Sequence, residues 1–244
     1  MNLENISETV EELLSFSREL GQSCKEGKIK GPVHFSLGNE EQLVKIFRGL
    51  RSGEYITSSQ RENGYSREDM ISKKKIEIYD DVKADHPVFR GIKKGDRIFI
   101  SYRNHPHALL RGIPREWLKE TVLDGRSMYP INKEYNFVTS AIVPGHLPIA
   151  VGAALGMKLK KEPYHVWAFC GDMAAETGSF EQCSKYANNF NLSITFVIED
   201  NGKSVDTPTL PVWGGQSPLR RPNTIRYVYE LGVPHQGVGK EVGF

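Results

Sequence analysis

Residues 165–202 constrain the fold more than any other part of the chain. Residues 165–170 (HVWAFC) and 192–198 (LSITFVI) are short, almost unbroken apolar runs, and residues 179–190 between them have the length and pattern of a helix. Strands buried on both faces read as continuous apolar runs. A strand–helix–strand unit of this kind pairs its strands in parallel, through a right-handed crossover. Residues 97–101 (RIFIS) add a β-rich run after the turn Lys94-Gly95-Asp96. Pro114 opens a helix, since proline is tolerated in a first turn. Residues 147–159 are rich in Ala, Gly and Leu, as in a closely packed helix, and residues 224–230 read as an edge strand.

Toward the N-terminus, Ile6, Val10, Leu13, Leu14 and Leu20 recur at helical spacing, with a start signal at Ser7. Leu43, Val44 and Phe47 mark one face of a second helix over residues 40–50. Residues 51–90 are polar and charged, with Ser58-Ser59-Gln60 and Glu62-Asn63-Gly64 as turn signals, and read as an insertion or flap. The predicted fold class is α/β: a parallel sheet with helices on both faces, forming one domain over residues 1–244.

Composition narrows the function. Hydrophobic residues make up 39% and charged residues 25% of 244 residues, enough for a sizeable core, and the formal charge of +2 provides no basic stripe for nucleic acid. The lysine runs at 73–75 and 158–161 read as solvated faces. Cys24, Cys170 and Cys183 lack metal-site spacing and cannot all pair. No apolar stretch has the length of a membrane span. The polar, acidic residues 1–9 are unlike a secretory signal, so a cytoplasmic location is expected.

In open parallel sheets, ligands bind beyond the carboxyl ends of the strands. Two such ends carry polar residues here: Gly171-Asp172 after the first apolar run, and Glu199-Asp200-Asn201-Gly202 after the second. One βαβ unit returns the second end beside the first. A carboxylate with an amide oxygen is a hard ligand pair suited to Mg²⁺ carrying phosphate oxygens. A helix starting near Gly178 would aim its N-terminus at the same crevice and favour an anion. Taken alone, Asp after a strand is equally a helix-cap arrangement, and Asp-Asn-Gly equally a turn.

The run from Gly171 to Gly202, GDMAAETGSFEQCSKYANNFNLSITFVIEDNG, resembles the thiamine diphosphate (ThDP) motif that opens with Gly-Asp-Gly and closes with Asn nearly thirty residues later. It is most similar to the α subunits of 2-oxo acid dehydrogenase E1 components, with Ala174, Ala175 and Gly178 at matching places. Three further blocks are similar in the family's order: His34-Phe35-Ser36-Leu37-Gly38-Asn39-Glu40, the YRNHPHALLRG segment from Tyr102 to Gly112, and the VPGHLPIAVGAA segment from Val143 to Ala154.

The resemblance implies a thiamin diphosphate-binding fold of the diphosphate-holding type, with ThDP and Mg²⁺ as cofactors. Asp172, the Asn201 side chain and the Lys203 carbonyl would ligate the metal. Gly171, Met173 and Ala174 would lie along the cofactor, and Tyr102 and Arg103 would contact it, Arg103 as a fixed charge for diphosphate. The backbone near Ala141 and Val143 would meet the pyrimidine. His34, His105 and His146 would stand near the reacting centre as proton carriers. The family's activating glutamate comes from a pyrimidine-binding domain, so a β-type partner subunit is expected to supply it. The implied substrate is a 2-oxo acid, decarboxylated with acyl or aldehyde transfer. Similarity to split transketolase N-terminal subunits gives ketol transfer between sugars as an alternative, and a non-catalytic regulatory homologue is another. Two departures stand out. Met173 replaces the motif's second glycine, and residues 51–90 lengthen the gap between blocks. The tail carries His235 in place of a longer ending.

Overall fold

The computed structural model describes residues 1–205, 207–219 and 221–232. In chain order the elements are α1 (Ile6–Lys25), α2 (Glu40–Arg48), β1 (Tyr55–Thr57), α3 (Ser58–Gly64), α4 (Arg67–Ser72), β2 (Ile76–Ile78) and α5 (Pro87–Arg90). Then come β3 (Arg97–Ile100), α6 (His105–Leu110), α7 (Arg115–Leu123), β4 (Ile131–Asn132), β5 (Phe137–Thr139) and α8 (His146–Leu159). The remainder is β6 (Val166–Gly171), α9 (Asp172–Ala175), α10 (Gly178–Asn189), β7 (Ile194–Asp200), β8 (Lys203–Ser204), β9 (Thr207–Pro208), α11 (Thr209–Trp213) and β10 (Thr224–Val228).

Eight strands form one sheet in the order β1-β2-β10-β7-β6-β3-β5-β4, and β8 and β9 make a separate ribbon. The β10-β7-β6-β3-β5 centre is parallel throughout. Antiparallel pairs occur at β10/β2 and at β4/β5, so the sheet is mostly rather than wholly parallel.

Both faces of the central strands are buried, and side chains alternate between two cores. Ile98, Ile100, Trp167, Phe169, Val197, Ile225 and Tyr227 pack under α1, α2, α6 and α7. Phe99, Val166, Ala168, Cys170, Phe196 and Ile198 pack under α8 and α10. The predicted helices on both faces are therefore present, and the apolar runs are continuous because neither face meets water. All three cysteines are buried, and none is in a disulfide.

Three expectations change. Residues 51–90 are not a flap thrown off the domain: they supply β1 and β2, which extend the sheet beside β10. Their apolar signal is only Ile56, Ile76 and Ile78, because the strands are three residues long, too short for a readable period. Residues 224–230 do not form an edge. β10 lies between β2 and β7, and all five of its residues are buried. The helix over residues 4–24 is capped by Asn5, whose side chain accepts from the Glu8 N–H, rather than by Ser7. The tail residue His235 lies outside the described residues, and among those described no helix is long and apolar enough to cross a membrane.

Asp96 ties the N-terminal ends of the central strands together. Its carboxylate accepts from both terminal nitrogens of Arg90 (2.9 and 3.1 Å), from the Lys93 and His165 N–H groups (2.9 and 3.0 Å) and from Trp167 Nε1 (3.2 Å). Burial alone would raise its pKa, but the Arg90 guanidinium and the backbone donors outweigh it and hold the carboxyl below the usual range. Asp96→Ala is expected to cost about 3 kcal/mol, since the buried donors lose their acceptor. A loss below about 1 kcal/mol in denaturant titration would contradict this. Because the folded pKa is depressed, this contribution is fully present above roughly pH 4 and fades as pH falls through the lowered folded value.

Candidate active-site cleft

A cleft opens at the carboxyl ends of β3, β6 and β7. Tyr102 and Arg103 enter it from the end of β3, Gly171, Met173 and Ala174 from β6 and α9, and Asn201 and Lys203 from the loop after β7. Val143, on the loop leading from β5 to α8, closes another side. The register sets Gly171 opposite Glu199, so the two polar strand ends lie next to each other, as the βαβ reading requires. Asp172 is buried directly behind this wall at 1% exposure, and Ala141 stands exposed on the Val143 loop. Met173 spans the position expected for a second glycine and accepts a hydrogen bond on Sδ from Trp213 Nε1 at 3.0 Å, linking α11 to the cleft wall.

The two carboxylates of this region contrast sharply. Neither oxygen of Asp172 has a hydrogen-bond partner among the described residues. Burial, with the charge of Asp200 second, raises its pKa to about 6; Thr209 and a backbone N–H pull the other way, although the Thr209 hydroxyl completes no hydrogen bond. Asp200 is fully buried yet well satisfied. Arg67 Nη1 donates to Oδ1 at 2.9 Å, the Gly202 N–H to the same oxygen at 3.0 Å, and Gln216 Nε2 to Oδ2. Asn201 Oδ1 accepts from the Lys203 N–H at 3.0 Å, which leaves a second lone pair on that oxygen, and its Nδ2 donates to the Tyr229 hydroxyl at 3.2 Å.

Arg103 is 8% exposed. One terminal nitrogen donates to the Phe35 carbonyl, while Nη2 is buried without a partner among the described residues. Its guanidinium also lies 5.7 Å from the centre of the Tyr102 ring. A buried cation with an unpartnered donor therefore lines the cleft, and a buried carboxylate with unpartnered acceptors lies in the chain between two of its lining residues, Gly171 and Met173. Each costs several kcal/mol unless a ligand completes it.

The histidines divide. His34 packs its ring on the cleft-lining Tyr102, centroids 4.6 Å apart, without itself lining the cleft. His105 and His146 do not line it either. His105 is buried with Nε2 2.9 Å from Ser127 Oγ, and burial lowers its pKa to about 4. His146, at the first turn of α8, donates from Nε2 to the Phe169 carbonyl of β6 at 2.8 Å. That bond fixes the tautomer and leaves Nδ1 as a buried acceptor without a partner, while burial keeps the ring neutral. The N-terminus of α10 also departs from expectation. α9 intervenes after β6, so Gly178 lines a different cavity, of about 200 Å³, with Arg221 and Arg226.

Sequence reasoning did not single out Glu199, which lines the cleft near the end of β7. Its Oε1 accepts from Asn39 Nδ2 at 3.3 Å and from the Tyr227 hydroxyl, and lies 3.1 Å from His107 Nε2. Gly38 sets the approach of Asn39: its φ is +113°, and a Cβ there would sit 2.1 Å from the Glu230 carbonyl. The signal was present in part, since Asn39 falls in the first matching block and His107 in the second. Nothing in spacing alone could join them to Glu199.

The dehydrogenase E1 component family model matches residues 87–211, just over half of the chain and all of β3, β6 and β7 with the cleft between them. The chain belongs to the dehydrogenase E1 component family. Among E1 relatives, the α-3 subunit of a chloroplastic pyruvate dehydrogenase E1 component from Arabidopsis thaliana is 29% identical over 126 residues, covering 45% of this chain and 29% of the relative. The α subunit of acetoin:2,6-dichlorophenolindophenol oxidoreductase from Cupriavidus necator is 29% identical over 130 residues, covering 49% and 39%. The matched part is thus well under half of either relative's length. A solved structure described as a thiamin diphosphate-dependent enzyme, from Mycobacterium smegmatis, aligns with a TM-score of 0.31 and 22% identity over 46% of this chain and 19% of that one.

The E1 cleft makes a prediction about the ligand-free chain. The folded pKa of Asp172 is raised, so its contribution to stability is fully present below about pH 4 and is lost as pH rises through about 6. Asp172→Asn is therefore expected to be more stable than wild type at pH 7 in chelator, by on the order of 2 kcal/mol, with the gap closing toward pH 4. Thermal unfolding at both pH values measures this. A variant less stable at pH 7 would contradict it.

Proposed function

We propose that the chain is the diphosphate- and Mg²⁺-holding subunit of a heteromeric ThDP-dependent enzyme that acts on a 2-oxo acid, decarboxylating it with transfer of the acyl or aldehyde group. The observation that carries the reading is that Arg103, a buried guanidinium whose Nη2 has no partner among the described residues, lines the cleft, while Asp172, a buried carboxylate with both oxygens unpartnered among them, sits in the chain between two of its lining residues, Gly171 and Met173. A phosphate oxygen completes the first and a divalent cation the second, so a metal–diphosphate fits both together. Among the described residues no three His, Cys, Asp or Glu side chains come together as a metal cage. That suits Mg²⁺ held by one carboxylate, the Asn201 amide oxygen, the Lys203 carbonyl and phosphate oxygens.

When bound, ThDP supplies a carbanion that adds to a carbonyl and stores the resulting charge. The chain's own residues bind and orient it. Tyr102 and Arg103 hold the diphosphate, Gly171, Met173 and Ala174 form the floor, and the backbone near Ala141 and Val143 meets the aminopyrimidine. His34, packed on the cleft-lining Tyr102, is the proposed proton carrier among the three histidines. His105 and His146, buried and neutral, hold the walls: His105 anchors α6 to Ser127, and His146 anchors α8 to β6.

A β-type partner supplying the activating glutamate is supported by the apolar surface flanking the cleft. Ile142 is 76%, Leu210 61%, Ile149 58% and Val212 54% exposed, with Val143 and Trp213 beside them. Single exposed apolar residues are ordinary, but a set of this size marks an interaction site. Both relatives compared above are themselves named as α subunits. The 2-oxo acid is favoured over a sugar phosphate because the described arginines beyond the motif, Arg221 and Arg226, serve elsewhere. Arg221 pairs with Glu181 and Arg226 donates to the Ser217 carbonyl, both away from the cleft.

Calorimetric titration of ThDP with Mg²⁺ into the chain, alone and with a β-type E1 subunit, tests the reading. Saturable heat that needs both components is expected. Asp172→Ala should abolish it, and Arg103→Gln should weaken it by about tenfold or more. Binding of equal strength in Asp172→Ala would sink the proposal.

A further inference from the structure

Resting on the cofactor reading above, we infer that Arg67 is a positioning residue of the metal site: it holds the Asp200 carboxylate out of reach, so that Asp172 alone presents a charged oxygen and cation binding waits for the diphosphate.

Asp172 and Asp200 occupy adjoining strand ends, at β6 and β7, and the charge of Asp200 is felt at Asp172. With one free carboxylate a site needs phosphate oxygens to hold Mg²⁺, whereas two free carboxylates make a cation site by themselves. Everything that keeps Asp200 from being the second is visible. Arg67 reaches from α4, in the stretch that sequence reading left as a flap, and donates to Asp200 Oδ1 at 2.9 Å. Its other terminal nitrogen lies 3.4 Å from the Asp200 carbonyl, and a Cβ built on Gly202 would lie 3.1 Å from that nitrogen. Gly202 also has φ +79°, so glycine serves twice there: it permits the turn, and it leaves room for the guanidinium. Gln216 holds the second oxygen from the opposite side. Asp200 therefore spends its acceptors within the protein, and the loop carrying Asn201 and Lys203 is clamped at its root, while Asp172 keeps both oxygens free.

Titration of Mn²⁺ into the full chain, with and without ThDP, tests this by binding rather than by turnover. In wild type, Mn²⁺ alone binds weakly and ThDP tightens it. In Arg67→Gln the released Asp200 joins Asp172, and Mn²⁺ alone binds at least about tenfold tighter, with the ThDP dependence correspondingly smaller. Adding Asp200→Asn to Arg67→Gln returns Mn²⁺ alone to the wild-type value, an outcome that a general loosening of α4 would not produce. Arg67→Lys, which keeps the charge but loses the second donor nitrogen, binds Mn²⁺ alone with a strength between wild type and Arg67→Gln and serves as the reference if Arg67→Gln folds poorly. Unchanged binding of Mn²⁺ alone in Arg67→Gln, with ThDP-dependent binding intact in wild type, overturns the role of Arg67 and leaves the cofactor reading standing. Wild type without any ThDP-dependent tightening removes both.

Discussion

The candidate site depends on one electrostatic asymmetry. Two aspartates sit at neighbouring strand ends in the same low-dielectric setting, and the protein satisfies only one of them. Asp200 receives Arg67, Gln216 and the Gly202 N–H, and Asp172 receives nothing that completes a hydrogen bond. An ionised buried carboxylate without a partner is unfavourable in the empty protein, and a proton or a cation relieves it. The site is thus preorganised at a cost in ligand-free stability, a pattern common where function and stability pull apart. Arg103 repeats the arrangement with opposite sign, its Nη2 unpartnered among the described residues in the wall of the neighbouring cleft.

The sheet allows this by burying both of its faces. Because helices cover each side of β3, β6 and β7, only the strand ends are free to carry polar residues, and the residues of the site come from those ends. Glu199 shows how tightly the ends are joined to the rest. Its Oε1 gathers Asn39 from the loop before α2, His107 from α6 and Tyr227 from β10. Burial first, and the Glu199 charge second, push the Tyr227 hydroxyl well above its ordinary pKa, so it remains a donor to that carboxylate. Two matching sequence blocks, those of Asn39 and His107, therefore converge on a side chain of a third.

What could be read from sequence followed from periodicity and local spacing. The β6–α10–β7 unit was legible because its strands are long and doubly buried, and Asp172 and Asn201 were legible because they immediately follow those strands. The matching blocks around Tyr102 and Val143 then placed Arg103 and Val143 on the same cleft. Four features were not legible. β1 and β2 are too short to show alternation; β10 reads like any edge strand until its neighbours are known; α9 is a four-residue turn with no signal of its own; and the pairing of Arg67 with Asp200 joins residues 133 apart in sequence. His105 and His146 illustrate the converse. Their blocks match, but local packing turns their rings toward Ser127 and Phe169 and away from the cleft.

The most direct test of the asymmetry is a crystal structure of the chain grown with ThDP and Mn²⁺, examined for anomalous scattering from the metal. The account requires one peak at roughly 2.0–2.3 Å from an Asp172 carboxylate oxygen, with Asn201 Oδ1 and a phosphate oxygen completing its shell and Asp200 still on Arg67. A metal ligated by Asp200 with the Arg67 pair broken, or a cleft that holds diphosphate while Asp172 remains without a cation, would contradict it.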